Sequence, residues 1–460
     1  MGVFAPTARV QKVTAMAKSE LDRAPETLRS RIESKQAKIG IIGMGYVGLP
    51  LALAFLERDY SVMGFDVDEA KTEKLNSGIS YIDYIDSAQL ASFRQRAALE
   101  ATADFQRLDE PDVLIICVPT PLTGNREPDM SYVEKTTEAI GTRLRSGQLV
   151  VLESTTYPGT TEELLKPRLE ATGLVCGKDF FLAYSPERED PGNPKFGPST
   201  IPKVVGGPDS ASTAVAAALY RQVVVDVVEV SSAGTAEATK LMENIFRAVN
   251  IALVNELKLV YDAMGIDVWE VLDAASTKPF GFMRFNPGPG WGGHCIPIDP
   301  FYLSWRARQY GVSTRFIELA GEVNVEMPRR VTQKIQDGLN SKAKPVRDSK
   351  ILVIGLAYKK DVADPRESPA FEVLALLQGL GAQISYHDPH IPIAPRMRTW
   401  RELEPLRSVD LTPELLASQD AVVVVTDHSA VDYELILEHA QLVIDTRGIY
   451  RQSHPKVIHA

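Results

Sequence analysis

The chain has 460 residues, of which 24% are charged and 44% hydrophobic, and its formal net charge is −10 at pH 7. This length predicts two or three domains, the composition is typical of a globular protein, and the acidic balance disfavours a nucleic-acid partner. The cysteines Cys117, Cys176 and Cys295 have neither paired nor metal-ligand spacing. We therefore expect reduced thiols, no bound metal and a cytoplasmic location, where an isolated thiol can be catalytic.

The first 37 residues form a charged N-terminal arm without the apolar core of a signal peptide. The uncharged run 39–56 is long enough for a membrane span, but its four glycines and Pro50 fit a strand, a turn and a helix better. We therefore expect no membrane association. Helical character is expected over 19–36, and the arm is either mobile or docked on a partner subunit.

Residues 38–66 have the order of a dinucleotide-binding unit. An apolar strand runs into Gly43-x-Gly45-x-x-Gly48, and a helix leads to a second strand that ends in Asp66. Gly43 allows the tight turn, Gly45 lets the backbone approach a pyrophosphate, and Gly48 lets the helix pack on the strand. Asp66 can bind a ribose diol and would repel a 2′-phosphate, so the pattern predicts NAD rather than NADP. The cofactor contacts predicted in this segment are Gly43, Gly45, Tyr46, Val47, Gly48 and Asp66.

Further strand-like runs each end in a polar loop; they are 112–118, 149–152 and 180–183. Loops beyond the carboxyl ends of parallel strands meet in one cleft. Pro119, Thr120 and Thr155 are therefore candidate cofactor contacts, and Glu187 is a candidate for orienting water or substrate. The alternative for each is the ordinary turn chemistry of Ser, Thr and Pro. Cys117 lies inside an apolar strand and is expected to be a buried structural thiol.

A long helical pattern covers 233–265. Lys240 and Asn244 are four residues apart on this helix, hence neighbours on one face, and can form a site for an oxyanion or a carboxylate. The alternative is a solvated lysine on a surface helix. A helix of this length also favours a homo-oligomer that assembles through the central helices. Its predicted buried face consists of Leu241, Ile245, Ala248, Val249, Ala252 and Leu253.

The segment 286–300 reads NPGPGWGGHCIPIDP, with four glycines and four prolines. Proline removes hydrogen-bond donors and glycine costs backbone entropy, so the segment is a shaped loop rather than a long helix or central strand. It presents Cys295 with Asp299 four residues further on, which is suited to holding a nucleophile against a ligand. The alternative is a tight interdomain turn with an inert cysteine.

A second α/β unit begins near residue 349, where a strand is followed by Gly355 without the full glycine fingerprint. Tyr358, Lys359, Arg366 and Arg447 follow strand ends or lie in loops, and such cations suit an anionic ligand. The alternative is solvated surface charge. We therefore predict an α/β fold with two doubly wound, Rossmann-like domains joined by a long central helix and a helical middle domain. The predicted boundaries are 1–37 for the arm, 38–232, 233–340 and 341–460.

Six motifs occur in one order: GIIGMGYVGLPLA, STTYPGTTEE, SPERED, TKLMEN, PGPGWGGHCIPIDP and GLAYKKDVADPRESPA. From about Lys38 to the C-terminus the chain resembles the nucleotide-sugar 6-dehydrogenases, the family that includes UDP-glucose dehydrogenase. The sequence GGHCIPIDPFYL of the loop is most similar to that of the branch that acts on UDP-N-acetylglucosamine. UDP-glucose dehydrogenases usually carry a lysine where Ile298 stands, so UDP-glucose is disfavoured. The alternative substrates are UDP-N-acetylmannosamine and other UDP-hexoses.

The resemblance implies an NAD-dependent, four-electron oxidation of sugar carbon 6, which supplies precursors of surface polysaccharides. Cys295 would form a thiohemiacetal and then a thioester, Lys240 would stabilise negative oxygen, and Asp299 would activate water. A two-electron hydroxyacid dehydrogenase needs no such cysteine, and a non-catalytic NAD sensor needs none of these residues.

The predicted catalytic set is Cys295, Lys240, Asn244, Asp299, Glu187 and Thr155. Arg366 completes the predicted cofactor contacts. The predicted contacts of the UDP-sugar substrate are Glu187, Arg188, Glu189, Lys240, Asn244, Arg284, Asn286, Pro287, Gly288, Gly290, Gly292, Tyr358, Lys359 and Arg447.

Overall fold

The computed structural model describes residues 24–82, 84–188, 197, 199–293, 295–397, 399–400, 403 and 406–460. It divides into two compact units, Met1–Met242 and Glu243–Ala460. The boundary falls within one continuous helix, Ala233–Met264, called the central helix below. Within the described ranges, every helix is too short or too polar to cross a membrane. The four-part division expected from the sequence stays a prediction.

The first unit is built on a parallel sheet of six strands in the order β3-β2-β1-β4-β5-β6. Both faces of such a sheet are covered, so its strands are continuous apolar runs rather than alternating ones. The sequence VLII of β4 shows this, since all four residues are buried. The strands are β1 Lys38–Ile42, β2 Ser61–Phe65, β3 Leu99–Thr102, β4 Val113–Ile116, β5 Leu149–Leu152 and β6 Phe181–Tyr184.

Helices cover this sheet, and an aspartate cap begins three of them. Asp68, Asp86 and Asp209 each accept a backbone N–H of the first turn, which satisfies a donor that the helix itself leaves unpaired. The helices are Ala24–Glu33, Gly48–Leu56, Glu69–Asn76, Ser87–Gln95, Ser131–Gly141, Lys166–Glu170 and Ser210–Tyr220, with a 3₁₀ turn at Phe105–Arg107 and a π-helical turn at Thr161–Leu165.

The N-terminal arm is ordered over Ala24–Glu33, where it packs on its own unit. Leu28 and Ile32 are buried in the core of that unit, and the Ile32 carbonyl accepts a hydrogen bond of 2.6 Å from the Tyr60 hydroxyl. This part of the arm therefore packs on its own unit, and the expected alternatives, mobility and docking on a partner subunit, stay predictions. The apolar Leu28 and Ile32, four residues apart on one helix face, are the reason for this packing. The remainder, 1–23, lies outside the described residues.

The two valine-rich runs after residue 200 do not extend the six-stranded sheet. They form β7 (Lys203–Val205) and β8 (Val227–Glu229), which pair with each other in a separate parallel sheet. β7 also brings Lys203, a buried cation, beneath the loop that follows β6.

The second unit contains a parallel sheet of five strands in the order β10-β9-β11-β12-β13. These strands are β9 Lys350–Ile354, β10 Gln383–His387, β11 Ala421–Val424, β12 Val443–Asp445 and β13 Val457–His459. The helices after the central helix are Val268–Ala275, Asp299–Gln309, Arg315–Ser341, Pro369–Gly379, Pro413–Ser418 and Tyr433–His439. Two parallel, doubly wound sheets and a helical central region confirm the predicted fold class.

The central helix confirms the expected helical pattern but corrects one member of its buried face. Ala248 and Ala252 are buried, whereas the side chain of Leu253 is 51% exposed. Successive helix residues are rotated by about 100°, so Leu253 points well away from Ala252. Ile245 and Val249 are half-buried between these extremes.

Candidate active site

A cavity of about 540 Å³ opens beside the carboxyl ends of the strands in the first unit. Four of the predicted cofactor contacts line it: Gly43, Gly45, Asp66 and Pro119. This is where a doubly wound sheet places a dinucleotide, because the first glycine turn and the neighbouring strand ends meet there.

The three glycines of the turn have separate structural reasons. Gly43 has a φ of +94°, and a Cβ there would lie 2.5 Å from the Cys117 carbonyl oxygen. At Gly48 a Cβ would lie 2.0 Å from the Gly43 carbonyl oxygen, so only glycine lets the helix start this close to the turn. At Gly45 a Cβ would meet nothing within 4 Å. Gly45 therefore leaves open space on the cavity side, where a pyrophosphate can approach the backbone.

Asp66 lies at the end of β2 and is only 6% exposed. Its carboxylate accepts the backbone N–H of Met44 and of Asp68, each at 3.0 Å, and Nζ of Lys71 lies 3.3 Å away. These contacts fix a carboxylate at the cavity wall, which is what recognition of a ribose diol requires.

Other predicted cofactor contacts do not line this cavity. Among the described residues, Tyr46, Val47, Gly48, Thr120 and Thr155 are absent from its walls. Several other residues of the cavity wall were not predicted from the sequence. Cys117, which was expected to be buried in a strand, also reaches the wall. Burial raises the pKa of the Cys117 thiol well above its ordinary value, so it is a neutral wall group. The missed side chains are Val67, Lys71, Phe105, Tyr132, Lys135 and Thr136.

Two lysines of the first unit hold the loop that contains Glu187. Lys203 Nζ lies 2.8 Å from Glu153 Oε2 and 3.7 Å from Glu187 Oε2. Burial disfavours the charge of Lys203, but attraction by Glu153 and Glu187 outweighs it and raises the pKa of Lys203. Lys240, only 8% exposed, donates a hydrogen bond to the Glu187 carbonyl. Lys240 is therefore not a solvated surface lysine.

A second buried acid, Glu237, organises the loop after β5. It accepts hydrogen bonds from the backbone N–H of Gly159 and from both the N–H and the hydroxyl of Thr161, at 2.6 to 2.9 Å. Burial raises the pKa of Glu237 to about 7, against the lowering effect of these bonds. Glu237 was not predicted, because nothing in its helical sequence context distinguishes it from a surface glutamate.

The Cys295 loop of the second unit closes in a tight turn before a helix. The Cys295 carbonyl accepts the backbone N–H of Ile298 at 3.1 Å and of Asp299 at 2.8 Å. Asp299 then begins the helix Asp299–Gln309 and is 2% exposed. Its Oδ2 accepts a 2.5 Å hydrogen bond from the Asn244 amide. The turn therefore ties the half-buried Cys295 to a carboxylate whose orientation is fixed by the central helix.

The glycines of this loop serve protein packing. A Cβ on Gly292 would lie 2.8 Å from Tyr358 Cβ, and one on Gly293 would lie 2.9 Å from the Tyr358 ring. The Gly293 N–H also donates to the Arg366 carbonyl at 3.1 Å. The turn that follows β9 therefore occupies the space beside these two glycines, and the expected contact of Gly292 with the substrate stays a prediction.

Two buried asparagines hold the first residues of this loop. Asn255 accepts the Gly288 N–H at 2.9 Å and donates to Asn324 Oδ1 at 2.8 Å, and both asparagines are at most 1% exposed. A Cβ on Gly288 would lie 2.7 Å from Arg447 Nη1, while Gly290, with a φ of +130°, approaches the Asn324 carbonyl. Arg447 itself donates through Nε to the Val425 carbonyl at 2.6 Å. These contacts bring the loop and Arg447 together.

The remaining predicted contacts are spread over both units. Arg366 makes a bidentate contact with Asp364, at 2.6 to 3.0 Å. The expected contact of Arg366 with the cofactor would therefore compete with this ion pair. Arg284 donates to Asp273 at 2.5 Å and to the exposed Asn286 at 2.9 Å. Arg188 donates to the Pro202 carbonyl at 2.6 Å. Pro287 is buried and Lys359 is half-buried, while Glu189 lies outside the described residues.

One group of potential metal ligands lies in the second unit. Asp361, His390 and His428 place their ligand atoms within 4.8 Å of one another. However, His428 accepts the Asp361 N–H through Nδ1 at 3.0 Å and its Nε2 lies 3.1 Å from Asp388. Both ring nitrogens of His428 are thus engaged by the protein itself, which disfavours metal binding there.

Three family models match consecutive parts of the chain. They describe the UDP-glucose/GDP-mannose dehydrogenase family: its NAD binding domain over residues 37–224, its central domain over 234–326 and its UDP binding domain over 352–452. The first of these matches confirms the predicted cofactor, NAD.

Characterised relatives agree with the family models. The chain is 36% identical to UDP-N-acetyl-D-glucosamine 6-dehydrogenase of Pseudomonas aeruginosa over 78% of this chain and 84% of the relative. It is also 36% identical to UDP-N-acetyl-D-mannosamine dehydrogenase of Escherichia coli K12, over 90% and 99%. The structure of UDP-D-ManNAc dehydrogenase from Pyrococcus horikoshii matches with a TM-score of 0.81 at 32% identity, over 92% of this chain and 98% of that one. These matches confirm the resemblance drawn from the motifs.

Proposed function

Because this chain belongs to the UDP-glucose/GDP-mannose dehydrogenase family, whose members are NAD-dependent nucleotide-sugar dehydrogenases, we propose that it oxidises carbon 6 of UDP-N-acetylglucosamine to the uronic acid. The observation that carries the reaction class is the turn that joins Cys295 to Asp299, with Asp299 held by Asn244. A dehydrogenase that stops at two electrons needs no cysteine in a turn that leads directly to a buried carboxylate.

When bound, NAD would supply the hydride acceptor for each of the two oxidations. The cavity beside Gly43, Gly45 and Asp66 fits it, since Gly45 leaves space for the pyrophosphate and Asp66 is oriented for the ribose. This carboxylate also favours NAD over a cofactor with a 2′-phosphate, because like charges would be brought close together.

Cys295 is the proposed nucleophile. After the first oxidation the sugar carries an aldehyde at carbon 6, and the Cys295 sulfur adds to it while the oxygen takes a proton, giving a thiohemiacetal. The second oxidation removes a hydride and a proton and leaves a thioester. Water then adds to the thioester carbon, the carbon–sulfur bond breaks, and the thiol and a carboxylate are released. Overall, one alcohol, one water and two NAD⁺ yield one carboxylate, two NADH and three protons.

The proposed supporting roles follow from how each side chain is held. Lys240 is a buried cation aimed at the Glu187 loop, so it would stabilise negative oxygen at carbon 6. Asp299, oriented by Asn244, would place and deprotonate water, and Glu187, held near Lys203, would assist in orienting it. The role of Thr155 as a partner of these residues is a proposal from the motif STTYPGTTEE alone.

The proposed substrate contacts lie around the same loop. Arg447 and the buried start of the loop at Pro287 and Gly288 are in direct proximity, and Tyr358 and Lys359 follow the turn after β9. Cationic and hydrogen-bonding groups at such positions suit the diphosphate and sugar of a UDP-sugar. This proposal agrees with the match of a UDP binding domain to residues 352–452.

A second candidate substrate is UDP-N-acetylmannosamine. The relatives from E. coli and P. horikoshii carry that name, whereas the relative from P. aeruginosa acts on the glucosamine epimer. We favour UDP-N-acetylglucosamine because of the loop sequence GGHCIPIDPFYL, and UDP-N-acetylmannosamine is the second candidate. Ile298, half-buried inside this turn, has no cationic group to replace the lysine usual in UDP-glucose enzymes.

We also propose that the chain forms a homo-oligomer through the central helix. Phe246, Leu253 and Val260 follow one another at intervals of seven residues, and each is between 43% and 51% exposed. Apolar side chains at this spacing form a stripe along one side of a helix, which is the pattern of helices that pack against a second helix. A second copy of the same chain would cover this stripe.

The test of substrate is the rate of NADH formation with a panel of UDP-sugars. We expect the highest kcat/KM with UDP-N-acetylglucosamine, followed by UDP-N-acetylmannosamine, and a much lower value with UDP-glucose. A preference for the mannosamine epimer would replace the first candidate by the second. Absence of NADH with every UDP-sugar would reject the reaction class.

A further inference from the structure

The second unit contains a cavity of about 380 Å³ that is separate from the Cys295 loop in its lining. The end of the central helix, the start of the helix Val268–Ala275 and the C-terminal segment 451–459 form its walls. None of its described lining residues belongs to the loop 286–299 or to the turn after β9. Exposed residues such as Gly265 and Ile266 lie at its mouth, so the cavity is connected to solvent.

Two deeply buried polar side chains in this cavity lack hydrogen-bond partners. Lys258 is 5% exposed and Trp269 is 2% exposed. Neither Lys258 Nζ nor Trp269 Nε1 makes a hydrogen bond with any part of the chain that the structure describes, and the same is true of Nδ1 of His459. A buried polar group without a partner costs folding free energy, and a buried charge costs more. Their presence in one cavity indicates a ligand that accepts hydrogen bonds.

The acidic residues of the cavity are already engaged elsewhere. Asp262 accepts a hydrogen bond of 2.5 Å from Lys334, and Asp267 caps a helix by accepting the Trp269 N–H at 2.8 Å. Asp445, behind the cavity, accepts three backbone N–H groups of the turn that follows β12. The local positive charge of Lys258 is therefore not matched by an acidic hydrogen-bond partner.

Further cationic character comes from the C-terminal segment. The Arg451 guanidinium lies 5.1 Å from the centre of the Trp269 ring, and His454 and His459 also line the cavity. Burial lowers the pKa of Lys258 to about 8, with Asp445 opposing that effect. Most Lys258 side chains are thus protonated at pH 7.

We propose that this cavity binds a small oxyanion, a phosphate or carboxylate group, with Lys258 and Trp269 as its buried donors and Arg451 at its entrance. An oxyanion offers several acceptor atoms and a negative charge, so it can satisfy Lys258 Nζ and Trp269 Nε1, which have no hydrogen-bond partner among the described residues. The volume accommodates a free anion or the anionic end of a small metabolite. The site lies outside the proposed UDP-sugar contacts, so its occupant is additional to the substrate.

Thermal unfolding of the full-length protein at pH 7 tests this proposal, with UDP present at saturation to fill the UDP-sugar site. Inorganic phosphate, glycerol phosphate and acetate are titrated in separate arms against chloride at constant ionic strength. We expect at least one of the three oxyanions to raise the melting temperature in a saturable way, and the arms identify its class. A UDP-induced shift, recorded first, reports on the proposed function independently of the anion arms.

Variants then locate the site. Lys258→Met should weaken the apparent anion affinity by about tenfold or more, the effect of losing one charge-assisted hydrogen bond. It should fold, because it removes an unpaired buried cation, and its melting temperature without anion should equal or exceed that of the wild type. Lys344→Met, which removes an equal charge that is paired with Asp420 outside the cavity, is the matched control and should leave the affinity unchanged.

Trp269→Phe keeps one aromatic ring and removes the Nε1 donor together with the rest of the indole, so it should weaken the anion affinity severalfold. This variant provides the second test if Lys258→Met does not fold. The proposal is overturned if none of the three oxyanions shifts the wild-type melting temperature beyond chloride. It is equally overturned if Lys258→Met and Trp269→Phe retain the full shift, because the anion then binds elsewhere.

Discussion

The Asn244 amide donates a hydrogen bond of 2.5 Å to the Asp299 carboxylate, and both side chains are buried. The bond connects the central helix with the first residue of the helix that follows the Cys295 turn. A carboxylate held in this way has one fixed orientation, and Asn244 occupies one of its acceptor positions. Asn244 is therefore a positioning residue for the proposed general base.

Replacing Asn244 by alanine should lower kcat by about tenfold to a hundredfold, which corresponds to one charge-assisted hydrogen bond. KM should change much less, because the bond orients the base for hydrolysis. Asn250→Ala is a matched control, since Asn250 lies on the same helix and, among the described residues, donates to the Phe246 carbonyl. The measurement is kcat and KM of both variants by steady-state kinetics. Equal kcat values in the two variants would contradict the positioning role of Asn244.

Asp66 should set the choice between NAD and NADP. Asp66→Ala removes the carboxylate at the cavity wall and leaves Lys71, which lies 3.3 Å from it, without this partner. We expect NAD affinity to fall by about tenfold and the preference for NAD over NADP to narrow, because the repulsion of a 2′-phosphate is lost. Asp86→Ala, which removes only the cap of the helix Ser87–Gln95, is the control. Binding titrations with both cofactors provide the measurement. An unchanged ratio of NAD affinity to NADP affinity in Asp66→Ala would argue against this role of Asp66.

Gly293 should be needed for the contact between the Cys295 loop and the Tyr358 turn. Gly293→Ala places a methyl group 2.9 Å from the Tyr358 ring and also forces a φ of +82° on alanine. Gly311→Ala has a similar φ of +72° but meets nothing within 4 Å, so it isolates the backbone strain of about 1–2 kcal/mol. We expect the Gly293 variant to lose more thermal stability and at least about tenfold more kcat/KM than the Gly311 variant. Equal losses would show that the Tyr358 contact is unimportant.

Leu253 should lie in the proposed subunit interface. Leu253→Glu places a charge in the middle of the apolar stripe, and burying an unpaired carboxylate against a partner helix is strongly unfavourable. Light scattering coupled to size-exclusion chromatography should therefore show a smaller assembly than the wild type. Val312→Glu, at an exposed position with no place in the stripe, should leave the assembly unchanged. A wild-type mass equal to one chain would refute the homo-oligomer.

Much of the fold is visible in local sequence patterns. The glycine fingerprint, the apolar run of β1 and Asp66 all lie within 38–66, so their relationship follows from spacing alone. Strands such as β4 and β5 are buried on both faces and read as apolar runs, which explains why their positions were predicted closely. Tyr358 and Arg366 lie outside helices and strands, as expected, but the residues that their side chains contact were not predicted.

The site was less predictable wherever it depends on long-range pairs. Lys203 and Glu153 are 50 positions apart, and nothing local to Lys203 indicates that it is buried. Glu237 and Thr161 are 76 positions apart, with the same difficulty. At Gly292 and Gly293, a sequence shows that a side chain is missing but not which neighbour requires its absence. Only the folded arrangement reveals the Tyr358 turn as that neighbour.

In the proposed reaction, Cys295 captures the aldehyde that the first oxidation forms and carries it through the second oxidation. The most direct measurement is the amount of NADH formed per molecule of limiting UDP-N-acetylglucosamine with NAD in excess, together with mass spectrometry of the product. We expect two NADH and one uronic acid per sugar for the wild type, and no net acid formation by Cys295→Ala. One NADH per sugar in the wild type, or wild-type acid formation by Cys295→Ala, would contradict it.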